Sequence, residues 1–224
     1  MKRWMAGLAA AVGAFALGGA TVSQAAVVAW FQADMRPGSP ALGWEYLWNK
    51  NGPIGNPANY SPLLPTTNSS YYYDADGVDG LPGAGEPAAY VYLGVLDPSR
   101  PFPGAPGGVP GHGYLQPGTD GIERFAIAAY TLASTGLTSI VASQLLNADE
   151  SRDGLHLLVY AGNDALPQID TYTAPGQGNY VTFDTALGWR TAGDTIYVAV
   201  GANGDDFFDT FRLSYSRSAP PGGS

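Results

Sequence analysis

Residues 193–215 read Gly-Asp-Thr-Ile-Tyr-Val-Ala-Val-Gly-Ala-Asn-Gly-Asp-Asp-Phe-Phe-Asp-Thr-Phe-Arg-Leu-Ser-Tyr, two apolar-rich runs joined by an acidic, glycine-containing turn. Successive side chains of a strand take opposite faces. Ile196, Val198 and Val200 therefore share one face and Tyr197 and Ala199 the other, while Phe207 to Tyr215 alternates less cleanly. Alternation of this kind on both sides of a turn predicts paired strands, here the closing hairpin of a β-sandwich. The feature constrains architecture more than chemistry, and no catalytic motif of comparable strength stands elsewhere in the chain.

The opening residues set an expected compartment. Lys2 and Arg3 precede an apolar run from Met5 to Ala20, and Ser23-Gln24-Ala25 offers small residues where a signal peptidase reads. The pattern predicts cleavage after Ala25 and a secreted or periplasmic protein. The run is rich in Ala and Gly and shorter than a bilayer comfortably requires, which argues against an uncleaved anchor. Ser218 to Ser224 reads as a flexible tail, leaving 26–217 as one domain.

Removing 25 of 224 residues leaves 199, enough for one sandwich or barrel with a substantial core. The chain has no cysteine, so stability must come from that core, with help from metal where a site exists. With Lys2 and Arg3 gone, 8 basic residues face 19 acidic ones, a balance of −11. Such a surface repels nucleic acid and anionic membranes, and leaves glycans, cations and other proteins as partners.

Strand signals recur along the chain, and no long stretch carries a helical period. Val27 to Ala33 is an apolar opening strand; Gly43 to Asn49 alternates, with Trp44, Tyr46 and Trp48 on one face. Residues 50–87 are loop-rich. Ala88 to Leu93 reads as a strand, and Pro98 to Pro117 as a Pro/Gly excursion unfit for a central strand, because proline removes ladder donors and glycine is costly to order. Six further strands are expected over 122–132, 139–145, 155–161, 180–185, 195–201 and 207–215, the first favoured over a helix because its neighbours need a pairing partner. Many short strands with no alternating helices predict an all-β fold, two antiparallel sheets packed as a jelly roll.

Gly111-His112, Gln116-Pro117-Gly118, Ile122-Glu123-Arg124-Phe125, the Asp153-Gly154 turn into Leu155-His156-Leu157-Leu158-Val159-Tyr160, Gly193 to Val198, and Asn203-Gly204 through Asp209 occur in that order. This succession resembles the jelly-roll domains of exported bacterial proteins, of the carbohydrate-binding-module-like kind. Such domains are found alone or as accessories to polysaccharide-degrading enzymes. The resemblance covers about half of the chain, residues 111–215, and lies in turn and core signals more than in ligand contacts. It implies the sandwich fold and a binding role.

Sugars stack their C–H faces on aromatic rings while polar groups read the hydroxyls. Tyr71, Tyr72 and Tyr73, in the loop-rich region, are the leading candidate ligand contacts, followed by Trp44 and Trp48, whose strand face reads first as core because it buries so much apolar area. His112, beside the Pro/Gly stretch, is a further candidate. Asp74, Asp76 and Asp79 space carboxylates around a glycine turn in the manner of a calcium loop, though the distal glutamate of an EF-hand is missing. Asn203 to Asp209 and Asn147 to Asp153 are similar clusters, and all three could be solvated turns. Structural calcium is the only cofactor the sequence suggests, with zinc disfavoured because two histidines and no thiolates are too few.

Nothing selects a catalytic pair among the four glutamates and fifteen aspartates, and no Gly-x-Ser-x-Gly elbow exists. His156 falls in a buried strand and reads as a hydrogen-bonded structural histidine. The expectation is a secreted non-catalytic module recognising an extracellular glycan. Two alternatives stay open: an exported structural or matrix protein contacting proteins or cations, and a polysaccharide-active hydrolase or lyase using Glu123.

Overall fold

The computed structural model describes residues 26–36, 38–66, 72–77, 90–95, 111–116, 121–148, 153–162, 164, 166–204 and 209–219. Within them the chain is almost entirely β. The strands in order are β1 (Ala26–Trp30), β2 (Trp44–Trp48), β3 (Ser61–Pro62), β4 (Leu64–Pro65), β5 (Tyr72–Asp74), β6 (Tyr90–Val95), β7 (Gly111–Gln116) and β8 (Phe125–Thr131). They continue with β9 (Gly136–Asn147), β10 (His156–Ala161), β11 (Ile169–Tyr172), β12 (Tyr180–Val181), β13 (Thr185–Arg190), β14 (Thr195–Gly201) and β15 (Asp209–Ala219). One turn of helix, α1 (Phe31–Asp34), follows β1, where a continuous strand was expected to Ala33.

Two antiparallel sheets pack face to face. One runs β12-β9-β15-β7-β6-β5-β4, with β13 also on β9 and β1 also on β15; the other runs β11-β10-β14-β8-β2-β3. This is the expected two-sheet sandwich. Between the sheets lies one large apolar cluster, fed by alternate residues such as Leu157 and Val159 of β10, Ile196, Val198 and Val200 of β14, and Phe211 and Leu213 of β15. At one end of it the rings of Phe31 and Tyr215 stack at 5.1 Å, with Trp44 and Tyr46 around them.

Three further expectations change. The closing hairpin does not exist: β14 pairs β10 and β8, whereas β15 pairs β9, β7 and β1, so the segment between them crosses from one sheet to the other. Both runs have an apolar face to bury, and opposite sheets bury both against one core. The Pro/Gly stretch contains a central strand, β7, held between β6 and β15. No proline falls in 111–116, and a side chain at Gly113 would strike the ring of Phe211, so the glycine is what lets that ring lie against the strand. Ser218 and Ala219, read as tail, are the last residues of β15, with Ala219 opposite Ala26.

Candidate functional site

The six-stranded sheet carries a second apolar cluster on its outer face, made by the residues that alternate with the core. Phe125, Ile127 and Ala129 of β8, Leu158 and Tyr160 of β10, and Tyr197 and Ala199 of β14 form it. A sheet face this apolar needs cover, and the loop after β2 supplies it: Ile54 and Tyr60 pack onto the cluster. The hydroxyls of Tyr60 and Tyr160 meet at 2.5 Å, and Tyr160 stacks on Tyr197 at 5.0 Å.

Asn49 anchors that loop. Its amide donates to the carbonyls of Gly52 (3.0 Å) and Glu123 (2.8 Å), and its oxygen accepts from Phe125 N–H at 2.7 Å. Buried polar groups satisfied on both sides fix a unique geometry, so the loop and the segment entering β8 are tied together and Glu123 stands at the edge of the outer face. Gly201 makes room for it, since a Cβ there would sit 2.5 Å from Glu123 Oε1 and 2.6 Å from the Phe125 ring. The same oxygen accepts from Asn203 N–H at 3.0 Å.

His156 joins two carboxylates. Its Nδ1 lies 3.1 Å from both oxygens of Glu123, and its Nε2 lies 3.1 Å from Asp170 Oδ1. In register, His156 faces Tyr172 and Leu158 faces Asp170, so all four side chains rise from the same side of the β10–β11 pair. The Tyr172 ring stacks on the imidazole at 4.3 Å and 23°, and Phe125 meets it edge-on at 5.2 Å. Burial pulls the His156 pKa down, but hydrogen bonds and charge from Glu123 and then Asp170 outweigh it, and the net shift is upward. Only the imidazolium can donate to both carboxylates at once.

Beside this group opens a cleft of about 280 Å³, floored by His156, Leu158 and Tyr160 and walled by Ile54, Leu166 and Pro167. Asp164 and Asp170 stand on its rim. A smaller hollow of about 230 Å³, between Ile54 and Glu123, continues past the other side of the loop. Arg190 grips Asp164 with two bonds of 2.8 Å, donates to the Leu187 carbonyl at 2.9 Å, and reaches Gln168 at 3.2 Å. Tyr172, 48% exposed, presents an open ring next to the cleft.

The residues expected to bind ligand lie elsewhere. Trp44, Trp48 and Tyr73 are buried between the sheets at 4%, 3% and 1% exposure, which corrects their reading as surface contacts: an aromatic strand face buries too much apolar area to be left in water. Tyr73 packs on Tyr46 at 4.7 Å and donates its hydroxyl to the Arg36 carbonyl, and burial pushes its pKa up to about 12. Tyr72 and His112 occupy one register row of the nine-stranded sheet, Tyr72–Gly94–His112–Arg212–Leu146–Tyr180, far in topology from the cleft. Tyr71 and Asp79 lie outside the described residues. Asp74 is buried, and its Oδ1 accepts from the backbone N–H groups of Asp76 and Gly77, a local turn of the kind aspartate favours. Among the described residues no three acidic or histidine side chains converge as a metal site.

Asp164, Asp170, Tyr172 and Arg190 were not singled out in the sequence. The available signal was the alternation Ile169-Asp170-Thr171-Tyr172, which puts Asp170 and Tyr172 on one face and Ile169 on the other.

No protein-family pattern matches the chain, and no curated protein matches it. Similar solved structures include the K1 cleaved adhesin domain of Lys-gingipain from Porphyromonas gingivalis W83, at 16% identity and TM-score 0.34, covering 89% of this chain and 99% of that one. A family 35 carbohydrate-binding module from Clostridium thermocellum is similar over 58% of this chain and 90% of its own, at 13% identity and TM-score 0.31. A family 11 carbohydrate-binding module from the same organism, in complex with a β-1,3-1,4-mixed-linked tetrasaccharide, is 10% identical with TM-score 0.35, over 82% of this chain and 99% of that chain. Among the described residues no helix is long and apolar enough to cross a membrane.

Proposed function

We propose that the chain is an exported, non-catalytic binding module that takes an extracellular glycan in the cleft on the outer face of the six-stranded sheet. The observation that carries this reading is the half-exposed Tyr172 ring, held by stacking on His156 and flanked by Asp170 beside an apolar hollow. A rigid ring offers a plate for a sugar face, and the carboxylate accepts its hydroxyls. Binding over catalysis is favoured by the same geometry. Glu123 and Asp170 stand at opposite nitrogens of one imidazole, so a ring fills the space where a scissile bond would have to lie. Both nitrogens are engaged, which leaves His156 no free one to move a substrate proton.

Tyr172→Ala should abolish retention on glycans that the wild type binds, while the thermal midpoint stays nearly unchanged because the ring is half in water. A wild type that binds nothing across a broad glycan array, or a variant that binds undiminished, would overturn the reading.

Structural calcium at Asp74, Asp76 and Asp79 is a separate proposal, supported by a carboxylate fully buried in an acidic turn. Calcium at a hundred times its dissociation constant would add about 2.7 kcal/mol. Chelation should then lower the midpoint by several degrees, and an Asp76→Asn, Asp79→Asn variant should lose that response; an unchanged midpoint would show that the turn holds without calcium.

A further inference from the structure

We propose, building on the glycan reading of this cleft, that its ligand is an uncharged sugar chain and that the site discriminates against uronate and sulfated glycans. Recognition of an acidic sugar needs a cation free to turn toward it, and among the described residues each cation near the cleft is already committed to another partner. Arg190 uses its Nε on the Leu187 carbonyl, Nη1 on Asp164, and Nη2 on Asp164 and Gln168. His156 spends both nitrogens on Glu123 and Asp170. Lys50, the only cation in the covering loop, lies 5.8 Å over the Trp48 ring, and Arg124 is buried, donating to the Asn49 carbonyl.

The acceptors are the reverse case. Glu123, Asp164 and Asp170 face two internal cations, so the group keeps a net negative charge even with His156 protonated. The Asp170 side chain is 55% exposed, and a carboxylate offers more lone pairs than its contact with Nε2 uses. A neutral hexose supplies the hydroxyl donors such a rim accepts. An anionic sugar brings like charge against it, in a chain whose formal charge is already −9.

The test is binding of the secreted chain to neutral polysaccharides (mixed-linked glucan, xylan, mannan), to polygalacturonate, alginate and a sulfated glycan, and to deacetylated glucosamine chains, all at one low ionic strength. A neutral chain should bind at least about tenfold tighter than any anionic one. That gap should narrow in high salt and in Asp170→Asn, which keeps the shape and removes the charge. Anionic chains binding as tightly as neutral ones would overturn the charge selectivity while leaving the glycan reading intact. Glucosamine chains binding tighter than every neutral one would overturn the uncharged assignment. No binding to any member of the panel would remove both readings together.

Discussion

At the scale of single residues, His156 makes the sharpest physical statement. Packed against Phe125 and Tyr172 with a carboxylate at each nitrogen, its pKa is raised above the ordinary 6.5 although partial burial pulls it down. Linkage fixes the sign: a raised folded-state pKa contributes stability that is fully present below pH 6.5 and is lost as pH climbs through the folded value. The wild-type melting midpoint, taken relative to His156→Gln at each pH, should therefore fall from pH 6 toward pH 8.5; a flat difference would show that folding leaves the imidazole pKa unshifted, and a rising one that the fold favours the neutral ring. The subtraction cancels the titration of shared groups that do not touch His156. Much of this residue was legible from sequence, since a histidine at the head of an apolar strand reads as hydrogen-bonded and structural. Its partners were not, because Glu123 and Asp170 are brought to it by β8 and β11, 33 and 14 residues away.

At the scale of elements, strands announced by alternation were readable and those that depend on a neighbour were not. Gly43 to Asn49 and Thr195 to Gly201 carry a clean period of two, and β2 and β14 form within them. The expected 180–185 strand divides into β12 and the start of β13, which both lie along one side of β9. The strand β7 shows why composition misleads. Its glycines were counted against a central strand, yet Gly113 is required by the ring of Phe211 on β15. Gly113→Ala should cost about 1–3 kcal/mol, the usual range for overpacking a closed core, and lower the denaturation midpoint without altering the slope of the denaturant curve. A midpoint unchanged from wild type would mean that β7 sits looser against β15 than the packing implies. The tryptophan strand β2 failed as a ligand surface for the complementary reason. Its period was right, and only the identity of the wet face was undetermined until β8 and the nine-stranded sheet closed over Trp44 and Trp48.

At the scale of the whole molecule, the sandwich was legible because it follows from many short strands without helices, whereas the route of the chain between sheets was not. Local pattern cannot tell a hairpin from a crossover when both runs are amphipathic, and β14 and β15 took the crossover. The candidate site inherits that topology, being built from β8, β10, β11 and the loop after β2, four segments spread over some 120 positions. One feature of the assembly bears on how it withstands load. Residues 26 and 219 lie directly opposite each other in an antiparallel pair, with β1 held in the sheet along β15. A pull applied across these two points meets the β1–β15 ladder end-on and opens its hydrogen bonds one after another, like a zipper, instead of shearing them together. A module tethered by both ends would yield first at this seam, at low force, and shed β1 while the cleft on the opposite sheet stayed closed.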